Sequence, residues 1–165
     1  MGRILFAGAI LGAPAPAPRG DAQKGTGGSR LVRILTVDDE APIQELYEAV
    51  LGLAGAEIAG QAFDGEAAVE MYRAQATPPD LVIMDYRMPG LDGLAASRAI
   101  LELDRNARIV FISADGSVEP AARDLGAIAF LAKPFPLAQF LALVRSLTGG
   151  AIGTLPSAAP SPTAP

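Results

Sequence analysis

Four short apolar runs in this chain each end on a residue able to do chemistry. Residues 31–37 lead into Asp38, Asp39 and Glu40, residues 81–84 into Asp85, residues 109–112 into Ser113, and residues 127–132 into Lys133. If the runs are parallel strands of one open sheet, polar residues at their C-terminal ends meet in the crevice outside that edge. Carboxylates, a hydroxyl and one ammonium would then share a pocket. Two carboxylates ~4 Å apart repel by about 4 kcal/mol at an effective dielectric near ~20, so three on one rim require a cation. The chain has no Cys and no His. That excludes a Ser-His-Asp triad, a thiol nucleophile and any His- or Cys-bound metal. Oxygen-ligated chemistry remains, which means Mg2+, Mn2+ or Ca2+. The pattern points to a divalent-metal and phosphoryl site with Asp85 as nucleophile.

The elements needed to position these residues are legible as alternating strands and helices. Pro42 stands where a first helical turn accepts it, and Ile43, Leu46, Tyr47, Val50 and Leu51 follow at helical spacing until Gly52 and Gly55. Residues 58–63 read as a short strand closed by Asp64-Gly65, and 66–74 as a helix with Ala68, Val69 and Tyr72 on one face. Pro78-Pro79 break the chain before the strand at 81–84, and Pro89-Gly90 and Asp92-Gly93 lead into a helix over 94–101. A strand at 108–112 precedes a weak helix around 118–125, disturbed by Gly116 and Pro120. After a last strand at 128–132, the final helix places Leu137, Phe140, Leu141, Val144 and Leu147 on one face. Tyr47, Tyr72 and Phe140 read as packing residues. Five strand–helix pairs with nearly continuous apolar strands specify an α/β fold, a doubly wound five-stranded parallel sheet flanked by helices.

Composition sets the outer limits. The 165 residues suffice for one domain with a proper core. Half of them are apolar, yet no run reaches the ~18–20 apolar residues of a membrane span. The net charge of −5 is uneven: residues 1–30 carry +3, residues 31–148 carry −8, and residues 149–165 are uncharged. An acidic core without a basic stripe argues against nucleic acid as a direct partner. Residues 1–30 and 149–165 are rich in Gly, Ala and Pro, without helical or strand periodicity beyond the first dozen residues. Both are expected to be disordered, leaving 31–148 as the folded unit. Arg3 followed by the apolar residues 4–13 also has the charge and length of a short signal peptide. Export would remove a phosphate acceptor from ATP-using kinases. The expectation is therefore a cytoplasmic protein whose residues 1–30 are a disordered or mis-assigned extension.

With these motifs in order, residues 31–148 resemble a response-regulator receiver domain of two-component signalling, with its flavodoxin-like fold. The resemblance rests on VDDE at 37–40, MDYRMPGLDG at 84–93, ISA at 112–114 and KPF at 133–135. It implies that Asp85 accepts a phosphoryl group from a histidine kinase or histidine phosphotransfer protein. It implies Mg2+ (Mn2+ being possible) bound by Asp39 and Asp85, by Asp38 through water and by the backbone carbonyl of Arg87. Ser113 would hydrogen-bond the phosphoryl oxygen, Lys133 would pair with it, and the bond before Pro134 would be cis. Phe130 matches the aromatic switch position, so Ser113 and Phe130 would carry the signal to the surface of the fourth helix, last strand and fifth helix. Arg87 and Asp115 occupy the positions that tune hydrolysis of the aspartyl phosphate. Beyond residue 147 only the Gly/Pro/Ala tail remains, so a stand-alone receiver acting on a target protein, rather than an enzyme, is expected.

Each residue also has a plainer reading. Asp38, Asp39 and Glu40 suit a helix N-terminus through the macrodipole, Asp85 suits a turn, and Lys133 a solvated loop. Phe130 suits an apolar core. Register among the four strand ends is what promotes them together. Two other functions fit parts of the pattern. An Asp-nucleophile phosphatase or phosphotransferase wants a second acid two residues after the nucleophile, where Arg87 stands. A receiver-like docking module that takes no phosphate has no need of the full acid, Ser and Lys set.

Overall fold

A computed structural model describes residues 9–11 and 31–148. Within 31–148 strands and helices alternate as their residues dictate. β2 (Val32–Val37), β4 (Leu81–Met84), β5 (Ile109–Ser113) and β6 (Ala129–Ala132) are short and almost wholly apolar. Such strands are stable only when both sheet faces are covered. The covering helices are α1 (Ala41–Leu53), α2 (Gly65–Ala74), α3 (Gly93–Leu103), α4 (Glu119–Leu125) and α5 (Leu137–Leu147). The sheet order is β1-β6-β5-β4-β2-β3, with β3 at Ala56–Ala62 and β2 through β6 parallel. The predicted five-stranded parallel sheet is therefore present.

One strand lies outside the predicted unit. β1 (Ala9–Leu11) pairs antiparallel with β6, so the expectation of disorder across residues 1–30 does not hold for these three. The expected tail at 149–165 lies outside the described residues.

Helix starts follow local chemistry. Asp64 and Asp92 cap α2 and α3, accepting the Ala67 and Ala95 N–H groups at 2.6 and 2.9 Å. Pro42 and Pro120 occupy first turns, where no N–H is missed. The weak helix is indeed short: a 3-10 turn at Gly116–Val118 leads into the seven residues of α4, which buries only Ala122. It ends at Gly126, whose φ of +105° suits glycine. On one sheet face α1 and α5 enclose Tyr47, Val50, Leu51, Phe140 and Val144. On the other, α2, α3 and α4 enclose Val69, Tyr72, Ile100, Ala122 and Phe130. Among the described residues no helix is long and apolar enough to cross a membrane.

Two assignments within α1 change. Leu46, expected on the buried face, is 40 % exposed, and Gln44 is 2 % exposed in its place. Residues 44, 47 and 51 lie on one helical stripe, and that stripe faces the sheet.

Candidate functional site

The C-terminal edge of the parallel strands gathers the predicted residues. Asp38 follows β2, is fully buried, and takes the Glu40 N–H on Oδ1 and the Lys133 ammonium on Oδ2, at 3.0 and 2.7 Å. Asp85 follows β4. Its N–H donates to the Val37 carbonyl at 2.8 Å, pinning it beside β2, and its Oδ1 stands 3.1 Å from the Lys133 Nζ. The backbone N–H of Arg87 donates to the Asp85 carboxylate as well. Lys133 follows β6 and sends its own N–H to the Ser113 carbonyl at 2.9 Å, joining the last two strand ends. The Lys133–Pro134 bond is cis, as the resemblance implies. Asp39 is exposed at the rim, and its carboxylate makes no hydrogen bond or ion pair among the described residues.

Ser113 is fully buried, and its Oγ accepts the Asp115 N–H at 3.1 Å. Phe130 is 5 % exposed and packs on the α2–α4 side with Phe111, Val118 and Ala122. The Arg87 guanidinium meets Asp115 at 2.7 Å, bridging the loops after β4 and β5. Arg87, Asp115, Asp39, Tyr86 and Met88 line an open cleft of about 450 Å³ at the mouth.

Electrostatics follow from this placement. Burial pushes the Asp85 carboxyl above its ordinary value, against the pull of Lys133. Burial alone would lower the Lys133 ammonium, but Asp38 and Asp85 outweigh it and hold the group above its ordinary value. The Ser117 hydroxyl, then Arg87, take Asp115 down to about 2. Lys133 also lies 3.9 Å from a Glu40 carboxylate oxygen, so the acids at the rim outnumber the one ammonium, a setting that suits a divalent cation. Among the described residues no three acids stand close enough to clasp an ion. Mg2+ ordinarily takes one or two carboxylates and keeps its waters, so Asp85 and the exposed Asp39, unpaired among the described residues, fit that habit.

Sequence reasoning missed the residues that hold this geometry. The buried Gln44 amide donates to the carbonyls of Ala62 and Asp38 at 2.7 and 3.1 Å, while its oxygen accepts the Thr36 hydroxyl at 2.6 Å. It ties α1 to the ends of β2 and β3. Gly93 matters for a different reason. A Cβ there would sit 2.0 Å from the Asp85 carbonyl oxygen, so only glycine lets α3 start against the Asp85 loop. Glu66, at the start of α2, accepts the Leu91 N–H at 3.2 Å and steadies the same loop.

Comparison with known proteins identifies the family and the fold. Residues 34–145 match the response regulator receiver domain family. The chain is 38 % identical over 117 residues to the chemotaxis protein CheY of Treponema pallidum, covering 70 % of this chain and 81 % of that one. The Borrelia burgdorferi CheX-CheY-BeF3-Mg2+ complex superposes with a TM-score of 0.66 at 32 % identity, over 70 % of this chain and 87 % of that one. The Thermotoga maritima response regulator TrrA, solved with Mg2+ and BeF, gives 0.64 at 32 % identity, over 71 % and 99 %. With that match spanning most of its length, the chain belongs to the response regulator receiver domain family of two-component signal transduction.

Proposed function

We propose that Asp85 is a phosphoryl acceptor. Its position carries the reading: a nearly buried carboxylate at the end of β4, held 3.1 Å from one ammonium and beside a second buried aspartate. In the reaction an Asp85 carboxylate oxygen attacks the phosphorus of a phosphohistidine on a kinase or phosphotransfer protein. The O–P bond forms as the P–N bond breaks, and the released imidazole takes a proton. Asp39, Asp85 and the Arg87 carbonyl would hold Mg2+, with Asp38 acting through water; Mn2+ has the same ligand preferences. When bound, the cation offsets repulsion between the carboxylate and the arriving phosphoryl oxygens. Both relatives solved with beryllofluoride, a phosphoryl mimic, also hold magnesium. Lys133, 3.1 Å from Asp85, would pair with one phosphoryl oxygen, and the Ser113 hydroxyl would donate to another. The chain's own part is positioning and charge stabilisation rather than turnover.

Arg87 and Asp115 would govern how long the phosphoryl group lasts, since their bridge stands over the mouth that attacking water must cross. The geometry disfavours a phosphatase. The residue two beyond Asp85 is a cation turned outward to Asp115, 72 % exposed, and supplies no acid. Incubation with acetyl phosphate and Mg2+ tests the proposal, read by intact mass and peptide mapping. One base-labile phosphoryl group on Asp85, lost with EDTA and absent from Asp85→Asn, is the expected result. Full labelling of Asp85→Asn would overturn it.

A further inference from the structure

The two edges of the sheet are protected in different ways. β3 carries the exposed Glu57 and a register irregularity opposite Ile34 and Leu35. A charge and an irregular register are what keep an edge from pairing with foreign strands. The far edge, β6, has neither. Residues 127–132 read AIAFLA, with no charge and no proline, and the ladder with β5 runs in unbroken register from Ala129 to Ala132. Left bare, such an edge is a template for any extended apolar chain.

The structure covers it with the chain's own residues. Ala9, Ile10 and Leu11 pair with Leu131, Phe130 and Ala129. Lys133 donates its N–H to Ser113 on the β5 side. By strand alternation the amides of Leu131 and Ala129 also face β5, and that of Phe130 faces β1. Phe130 is the position opposite Ile10. Direction also favours an intramolecular connection. Because β1 runs antiparallel, Leu11 lies beside Ala129, at the same end of the sheet as Val32 and away from the acidic rim. Four strand spacings separate β1 from β2, ~19 Å. The twenty residues 12–31 can reach up to ~70 Å when extended.

We infer that the β6 edge is a strand-docking site, closed in cis by Ala9–Leu11 and suited to an extended, uncharged apolar peptide. A three-residue ladder on a long tether is exchangeable, and a competing strand needs only backbone hydrogen bonds and apolar side chains to take its place. The edge belongs to β6 itself, so any target that reads this strand meets the N-terminal strand first. The inference stands on the sheet edge alone and does not require phosphoryl transfer at Asp85.

The test uses the full chain and its Ile10→Pro variant, which removes the N–H facing Phe130. Amide exchange is followed by NMR at Phe130, with Ala129 and Leu131, which face β5, as internal controls. In the wild type Phe130 should be protected. In Ile10→Pro it should exchange at least about tenfold faster with Ala129 and Leu131 unchanged. A synthetic peptide of residues 4–13 with terminal lysines should bind Ile10→Pro and restore protection there, and bind the wild type at least about tenfold more weakly. An unprotected Phe130 in the wild type would overturn the inference, as would a peptide that ignores Ile10→Pro. Equal peptide binding to both proteins would overturn closure in cis. So would a wild-type dimer by light scattering that Ile10→Pro dissolves, since the strand would then come from a second copy.

Discussion

At the scale of single residues, the site is held by one cation shared between two buried acids. Asp38 is fully buried and Asp85 nearly so, and Lys133 alone neutralises both. Lys133→Ala leaves two desolvated carboxylates facing each other, a loss of about 3 kcal/mol in urea unfolding without metal. Added Mg2+ should recover part of it by binding only the folded state. Asp85 itself opposes folding at neutral pH. Burial raises its pKa above the ordinary value, so folding favours the protonated form. The stabilising contribution of that form is complete below the ordinary value and is lost as pH rises through the raised one. Asp85→Asn keeps the shape and removes the charge. Thermal melts in EDTA should therefore show Asp85→Asn a few degrees more stable than wild type at pH 7, the gap closing toward about pH 3. A gap that is absent at pH 7, or that widens on acidification, would contradict this account. Asp115 titrates far lower, about 2. The Arg87–Asp115 bridge accordingly persists across that whole range.

At the scale of elements, the loops after β4 and β5 are set by contacts that composition alone does not reveal. Gly93→Ala would drive a methyl into the Asp85 carbonyl oxygen, forcing α3 away from the loop. We expect a loss of about 3 kcal/mol, together with slower acetyl-phosphate labelling of whatever remains folded. Gln44→Ala removes donors to the Asp38 and Ala62 carbonyls and should cost about 1–3 kcal/mol in the same unfolding assay. The strands and helices themselves were legible because apolar runs, Pro in first turns and Asp caps are local signals. Gln44 was not, although it stands three and seven residues before Tyr47 and Leu51. A buried amide is justified only by carbonyls on β2 and β3, which no local pattern displays. Leu46 failed for the converse reason: helical spacing places it near the buried stripe, yet it falls beside residues 44, 47 and 51 rather than on that stripe and is 40 % exposed. The acidic rim was legible from register alone, as each strand end carried a reactive residue. How the charges divide was not legible, because the choice of Lys133 to bridge Asp38 and Asp85, leaving Asp39 without a partner among the described residues, is a matter of tertiary geometry. The edge strand Ala9–Leu11 was equally hidden, since three residues carry no period and acquire a strand's hydrogen bonds only from β6.

At the scale of the whole molecule, the question is how a change at the acidic rim reaches a surface a target could read. Ser113 and Lys133 end adjacent strands and are joined through the Lys133 N–H. Phe130 lies three residues before Lys133, packed against Val118 and Ala122, the two buried residues of the 3-10 turn and α4. With so few anchors, α4 is the helix least tied to the core. A phosphoryl oxygen that draws the Ser113 hydroxyl away from the Asp115 N–H would loosen the turn at Gly116–Val118 and open space toward Phe130. The ring cannot follow without shifting α4, because it is enclosed. This is a two-state element, and a ligand shifts it only by as much as it prefers one state. Truncating Phe130 to Ala would cost about 3–5 kcal/mol and confuse the result, so Phe130→Leu is the cleaner probe. Beryllofluoride with Mg2+ should shift amide resonances from Gly116 to Phe140 in the wild type. Phe130→Leu should still bind beryllofluoride but show smaller shifts across α4, and Ser113→Ala should confine the shifts to the rim. If the wild type shows no shift beyond the loops that carry Asp85 and Ser113, or if Phe130→Leu matches it resonance for resonance, the route from Ser113 through Phe130 to α4 is wrong.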